Sequence, residues 1–157
     1  MPNLLEIGVN DLETWCQNNN KKLLSEWNYK KNGEKTPQNV MCGSGYKAWW
    51  ICSKGHNYQT AIYNRAKKNG TGCPICSNRQ ILVGYNDLLT THPQLAKEWH
   101  PTKNGNLTPE MVTAGSLKKV WWFLPYYDNV KDKVFDFEWE ATVSNRALKH
   151  SGFPFLN

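Results

Sequence analysis

Residues 23–50 read LLSEWNYKKNGEKTPQNVMCGSGYKAWW, and residues 95–122 read LAKEWHPTKNGNLTPEMVTAGSLKKVWW. Superposed at a shift of 72, the two stretches need no gap, and 14 of 28 positions are identical. The identities include Glu26/Glu98, Lys31/Lys103, Asn32-Gly33/Asn104-Gly105 and Thr36-Pro37/Thr108-Pro109. They also include three tryptophan pairs, Trp27/Trp99, Trp49/Trp121 and Trp50/Trp122. Tryptophan is too scarce for that to be coincidence, so the chain carries one module twice.

The correspondence resumes downstream. Asn64-Arg65-Ala66 returns as Asn145-Arg146-Ala147, and Gly72-Cys73-Pro74-Ile75-Cys76 becomes Gly152-Phe153-Pro154-Phe155-Leu156. Counting outward from these anchors, Cys52 falls on Leu124 and His56 on Phe137. Four metal-competent side chains of the first copy are therefore apolar in the second. A metal ion and an apolar plug are alternative ties between the same two loops, which marks Cys52, His56, Cys73 and Cys76 as ligands. Cys52 and His56 flank Ser53-Lys54-Gly55, a turn-forming tripeptide between aromatic runs, so they meet at a hairpin tip. Cys73 and Cys76 form a knuckle. Three sulfurs and one nitrogen complete a closed tetrahedral shell without an open position for water. One structural Zn2+ per chain is expected, with Leu124, Phe137, Phe153 and Leu156 clustering in its place in the second copy.

Cys42 corresponds to Ala114 and reads as a small packed residue; Cys16 lies at helical spacing from Leu12 and reads as core. Five cysteines with a metal pattern do not resemble a secreted disulfide framework. The first ten residues lack a basic start and an apolar core, so no signal peptide is expected. The longest apolar runs are four or five residues, far short of a membrane span. A soluble, cytoplasmic protein without a membrane partner is expected.

The repeat divides the chain into residues 1–84, a zinc-binding module with an N-terminal helix, and residues 85–157, a metal-free copy. Units this small bury little apolar surface and lean on metals or neighbours, so the copies are expected to pack together. Each reads as helix, polar loop, β-hairpin, short helix and knuckle. Asn10-Asp11-Leu12-Glu13 has the outline of a capping box, and Thr91-His92-Pro93-Gln94 reads as the second helix start. The second hairpin's return strand alternates, with Phe135, Phe137, Trp139 and Ala141 opposite Asp136, Glu138 and Glu140. Its loop, Tyr126 to Lys133, is expected to hold the nine residues by which this hairpin exceeds the first.

Together these elements spell Leu-x-x-Glu-Trp, Asn-Gly, Thr-Pro, Gly-Ser, Trp-Trp-x-Cys-x-x-x-His, Asn-Arg and Cys-Pro-x-Cys. That pattern resembles the probable zinc-ribbon domain family, a treble-clef-like module, over roughly residues 10–78 and 86–156. The resemblance implies a small α+β fold of two tandem zinc-ribbon or treble-clef-like modules, with structural zinc on Cys52, His56, Cys73 and Cys76. Such modules often occur in tandem, some beside nuclease-like domains of the very-short-patch-repair type. This chain departs in its ligand-free second copy, and no accompanying nuclease domain is expected. Asp136, Glu138 and Glu140 resemble a metal-nuclease carboxylate cluster only superficially, lack the lysine that should follow, and read as a solvated strand face.

No catalytic residue is assigned. A complete shell leaves zinc no position for substrate or water, and His92, His100 and His150 have no evident partners in sequence. Residues 1–84 hold eleven Lys and Arg against five Asp and Glu, whereas residues 85–157 hold eight of each. Two of three arginines, Arg65 and Arg146, are repeat-equivalent, and read as structural donors rather than base readers. Lys30, Lys31, Lys67 and Lys68 are the candidate phosphate contacts. Tyr126, Tyr127, Asp128, Asp132, Asp136, Glu138 and Glu140 on the longer hairpin suit docking against a basic protein surface. A short chain of binding modules also resembles small phage-encoded inhibitors. Anti-CRISPR proteins, which block a guide-RNA nuclease in the host cytoplasm, are one kind. The expectation is a non-catalytic binding protein acting on nucleic-acid machinery through a protein partner, with nonspecific DNA or RNA binding as the alternative.

Overall fold

A computed structural model describes residues 4–154. It resolves into two compact units that divide between Ser77 and Asn78. Each is a small α+β body of short helices around a two-stranded antiparallel hairpin.

In the first unit, α1 (Leu12–Asn19) starts at Asp11, whose carboxylate accepts from the Thr14 backbone N–H at 2.8 Å and its hydroxyl at 2.7 Å. Asp11, rather than an Asn10–Glu13 box, is thus the cap; Asn10 instead accepts from Glu6 N at 2.7 Å. Helices α2 (Lys22–Ser25) and α3 (Tyr29–Asn32) follow, then strands β1 (Lys47–Ile51) and β2 (Asn57–Ala61), then α4 (Ile62–Arg65). The strands pair with Trp50 opposite Tyr58 and Ile51 opposite Asn57.

The second unit opens with α5 (Leu88–Thr91), capped by Asp87, and α6 (Pro93–Ala96). After a 3-10 turn at Pro109–Met111 come β3 (Lys119–Asp128), β4 (Lys133–Thr142) and α7 (Val143–Ala147). Helix α6 keeps the expected start, with His92 as its cap and Pro93 in its first turn, but a further helix precedes it, four positions before Thr91, at Asp87. Its setting repeats that of Asp11: Gly84 N and Thr90 Oγ1 each donate to it at 2.7 Å, as Gly8 N and Thr14 Oγ1 do to Asp11. Gly-x-Asn-Asp-Leu-x-Thr thus occurs at 8–14 and at 84–90.

The repeated residues hold the same joints in both units. Trp27 packs edge-on against Trp50 at 5.2 Å, and Trp99 against Trp122 at 5.6 Å. Trp50 and Trp122 are fully buried, and burying an indole contributes about 5 kcal/mol by area. Asn32 bonds both backbone groups of Trp49 at 2.8 Å, and Asn104 does the same for Trp121 at 2.8 and 2.9 Å. The following glycines, Gly33 and Gly105, sit at φ 60° and 59°, where a side chain would be strained.

The longer second hairpin differs from expectation. Its extra residues extend both strands to ten apiece, with Tyr126, Tyr127 and Asp128 inside β3, instead of widening a loop. The alternation along β4 holds, with Trp139 buried and Asp136, Glu138 and Glu140 exposed. Among the described residues, no helix is long and apolar enough to cross a membrane.

Candidate metal centre

The turn between β1 and β2 positions the first two ligands. Cys52 N donates to His56 O at 3.1 Å and Gly55 N to Cys52 O at 2.8 Å, closing the tip. Gly55 takes φ 84°, a conformation that costs an L-residue dearly, and turns His56 back over Cys52. The knuckle approaches from the other side, its turn closed by Ser77 N donating to Cys73 O at 3.2 Å.

The four ligand atoms all lie within 4.8 Å of one another. His56 Nδ1 is 3.5 Å from Cys52 Sγ, 3.8 Å from Cys73 Sγ and 3.4 Å from Cys76 Sγ. Cys52 and Cys76 are 3.8 Å apart. A zinc tetrahedron with ordinary bond lengths has S–S edges of about 3.8 Å and S–N edges of about 3.6 Å. The cluster therefore has the size of a zinc shell, not merely its composition.

The electrostatics agree. Burial opposes charge on Cys52, but backbone hydrogen bonds from His56 and Lys54 outweigh it and hold that thiol below its usual value. Desolvation, then hydrogen bonds with Cys73 and Cys52, push the Cys76 thiol up to about 11. Three crowded thiols cannot all ionise by themselves, and a divalent cation is the partner that permits it. His56 and Cys73 are buried, and Cys76 is exposed.

The twin site is filled with carbon. Leu124 pairs with Phe137 across the strands, Phe137 stacks on Phe153 at 4.3 Å, and Trp139 meets Phe153 edge-on at 5.0 Å. All belong to the second unit's core or pack against it. Leu156 lies outside the described residues.

A family model described as a probable treble clef zinc finger domain matches residues 23–79 and again residues 95–154. The chain belongs to the probable treble clef zinc finger family. Comparison with curated proteins yields no match. The first treble clef carries a candidate zinc site on Cys52, His56, Cys73 and Cys76, while the second has exchanged the ligands for an apolar tie.

The other candidate residues are dispersed. Lys30 and Lys31 lie on α3, with the Lys31 ammonium 4.1 Å from the centre of the Trp49 ring. Lys67 and Lys68 line a separate cleft with Arg65. On the long hairpin, much of the acidic set is engaged within the unit. Glu138 accepts from Lys103 Nζ at 2.5 Å and lies 2.9 Å from His100 Nε2, contacts that hold its carboxyl below the usual value. Asp128 caps its own turn through Val130 N and Lys131 N, Tyr127 donates to Asp132 at 2.5 Å, and Glu140 lies 3.9 Å from Lys119. Asp136 sits opposite Pro125, and Tyr126 tilts over Phe137 at 5.9 Å.

Arg65 and Arg146 have the structural role expected of them, each bonding a glutamate at 2.5 Å, Glu26 and Glu98 respectively. Sequence reading missed the Glu138–His100–Lys103 contact, because its partners lie 38 and 35 residues apart. The His100 and Glu138 substitutions for Asn28 and Asn57 were its only signal in sequence.

Proposed function

We propose that this chain is a non-catalytic, zinc-stabilised binding protein acting on nucleic-acid machinery, and that its first treble clef contacts nucleic acid directly. One observation carries the reading. A polar cleft of ≈ 520 Å³ in the first unit is lined by Arg65, Lys67, Lys68, Asn19, Asn69 and Thr71, among others, with no carboxylate in its wall. The corresponding cleft of the second unit, ≈ 500 Å³, includes Pro93, Leu95 and Glu98 beside Arg146. Lysines act on phosphate as mobile point charges, and Arg65 is already committed to Glu26 and Tyr58. The chemistry suits backbone contact without base readout. A closed Cys3His shell supplies structure and leaves no coordination position for catalysis.

Fluorescence anisotropy with labelled oligonucleotides of several sequences, over a range of salt, tests this. Affinity should fall steeply with salt, differ little between sequences, and drop in Lys67→Glu and Lys68→Glu. Absence of binding at low salt, or binding indifferent to salt, overturns the reading.

A second reading, a protein partner, is favoured by the far end of the long hairpin, where Tyr127, Val130 and Val134 are 56, 89 and 55% exposed. A docking site there would release its partner on Tyr127→Ser with Val130→Ser while nucleic-acid affinity stayed unchanged. No residue of this hairpin selects a guide-RNA nuclease over another basic protein, so the anti-CRISPR identity rests on chain size and style alone.

A further inference from the structure

We infer that Lys31, Asn57 and Trp49 form a subsite for one phosphodiester and its neighbouring base on a single-stranded nucleic acid. The inference rests on the nucleic-acid reading above and deepens it. The second copy supplies the observation. There Lys103 sits 4.4 Å over Trp121, and the Glu138 carboxylate takes the hydrogen bond of that ammonium at 2.5 Å. In the first copy Lys31 sits over Trp49 in the same way, at 4.1 Å. The residue in Glu138's place is Asn57, as the register shows: Ile51 faces Asn57, and its equivalent Phe123 faces Glu138. Further along the strand, Gln59 stands where Glu140 approaches Lys119.

Two carboxylates of the second copy are thus amides in the first, while both lysines are kept. Among the described residues no carboxylate lies within ion-pair distance of Lys31 or Lys47. Glu138 therefore marks, inside the same molecule, where an anion sits on this face. The first copy leaves that place to an anion from outside. Asn57 Oδ1 accepts from Asn28 Nδ2 at 2.6 Å, so its oxygen is engaged and its own amide N–H donors are the groups left for a ligand. Lys31 and Asn57 are exposed and Trp49 is partly so. A cation, an amide donor and an indole together fit a phosphate followed by a stacked base. The second copy's equivalent face is closed by its own glutamates.

The test uses the full zinc-loaded chain and a labelled oligothymidylate of about 16 nucleotides, a length matched to one small binding unit. Asn57→Glu reproduces the second copy's carboxylate on an exposed position, so folding is not at stake. It should weaken binding roughly tenfold and lower the salt slope by about one. Gln17→Glu, the same charge change on α1, should leave affinity within about twofold. Glu138→Asn should add a second binding equivalent. If Asn57→Glu binds like the parent while Lys67→Glu does not, the subsite is wrong and the broader reading stands. If the parent fails to bind at low salt, both are wrong. Equal affinity for duplex DNA, or displacement by millimolar inorganic phosphate, overturns the single-strand assignment.

Discussion

Arg65 donates from one guanidinium nitrogen to the hydroxyl of Tyr58 at 2.6 Å while another bonds Glu26. Its ring contact with Trp50 at 4.8 Å completes a fixed setting for the guanidinium. In the second copy the glutamate bond is kept, and Arg146 lies 4.8 Å from the Trp122 ring. Trp139, however, occupies the place of Tyr58 and offers only an N–H donor. The consequence is visible: Arg146 Nη1 and Trp139 Nε1 are both buried with no hydrogen-bond partner among the described residues. The indole instead meets Phe153 edge-on, the residue that replaces a zinc ligand. Loss of the metal and loss of the tyrosine thus belong to one rearrangement.

Restoring the tyrosine should stabilise the second unit. Trp139→Tyr removes one orphaned donor and gives the other an acceptor, and a buried unsatisfied polar group costs about 1–3 kcal/mol. Against this stands a lost volume of about 35 Å³, worth about 1 kcal/mol as a cavity. A higher Tm is expected, whereas Tyr58→Phe in the first unit should cost about 1–3 kcal/mol. A Trp139→Tyr variant that melts lower than the parent would show that the indole's packing outweighs the two hydrogen-bonding deficits.

Phe153 replaces a zinc ligand, so truncating it should act like removing one. Phe153 is buried, stacked on Phe137 and met edge-on by Trp139. Phe153→Ala should cost about 3–5 kcal/mol, and Phe153→Leu, which keeps most of the volume, less than about 2 kcal/mol. Chemical denaturation measures both. Similar losses for the two substitutions would mean the site needs the ring face itself.

The zinc ligands were legible because the twin copy replaces them with apolar residues, and the structural arginines because the twin keeps them. The helix start at Asp87 was not. Its motif recurs at a shift of 76 rather than 72, so the gapless comparison ran past it. The long hairpin misled for a different reason: the alternation that marks β4 gives no signal in β3, where Pro125 interrupts a run already too apolar to alternate. Charge was legible only as a sum. That Glu138 spends itself on Lys103 and His100 depends on strand register, which composition does not contain.

Acid should loosen the second unit through Asp87. Burial opposes its charge, but hydrogen bonds from the Thr90 side chain and from Gly84 N and Thr90 N outweigh that and hold the carboxyl below its usual value. A folded pKa below the unfolded one, near 4, means the contribution is fully present above about pH 5. It is lost as pH falls through the folded value. Asp87→Asn keeps one acceptor oxygen and loses the other, so it should lower stability by about 1 kcal/mol at neutral pH and flatten this acid dependence. Thermal melts between pH 6 and pH 3 on both proteins check it. An unchanged acid slope in Asp87→Asn would assign the effect elsewhere.

Zinc should matter to one unit and not the other. The first unit's two loops are tied through Cys52, His56, Cys73 and Cys76, while the second unit's are tied by apolar packing. Structural zinc contributes on the order of 10–16 kcal/mol of apparent binding energy, more than a unit this small gains by folding. Metal analysis should give one equivalent per chain, and Cys73→Ser should release it. Hydrogen exchange after chelation should then show the amides of β1 and β2 losing protection while those of β3 and β4 keep theirs. The twin provides the decisive control, since both hairpins share the Trp–Trp contact and the Asn32 or Asn104 joint. If β1 and β2 stay protected without metal, those shared joints suffice and zinc has another role. Two equivalents per chain would place a second metal outside the Cys-Cys-Cys-His shell.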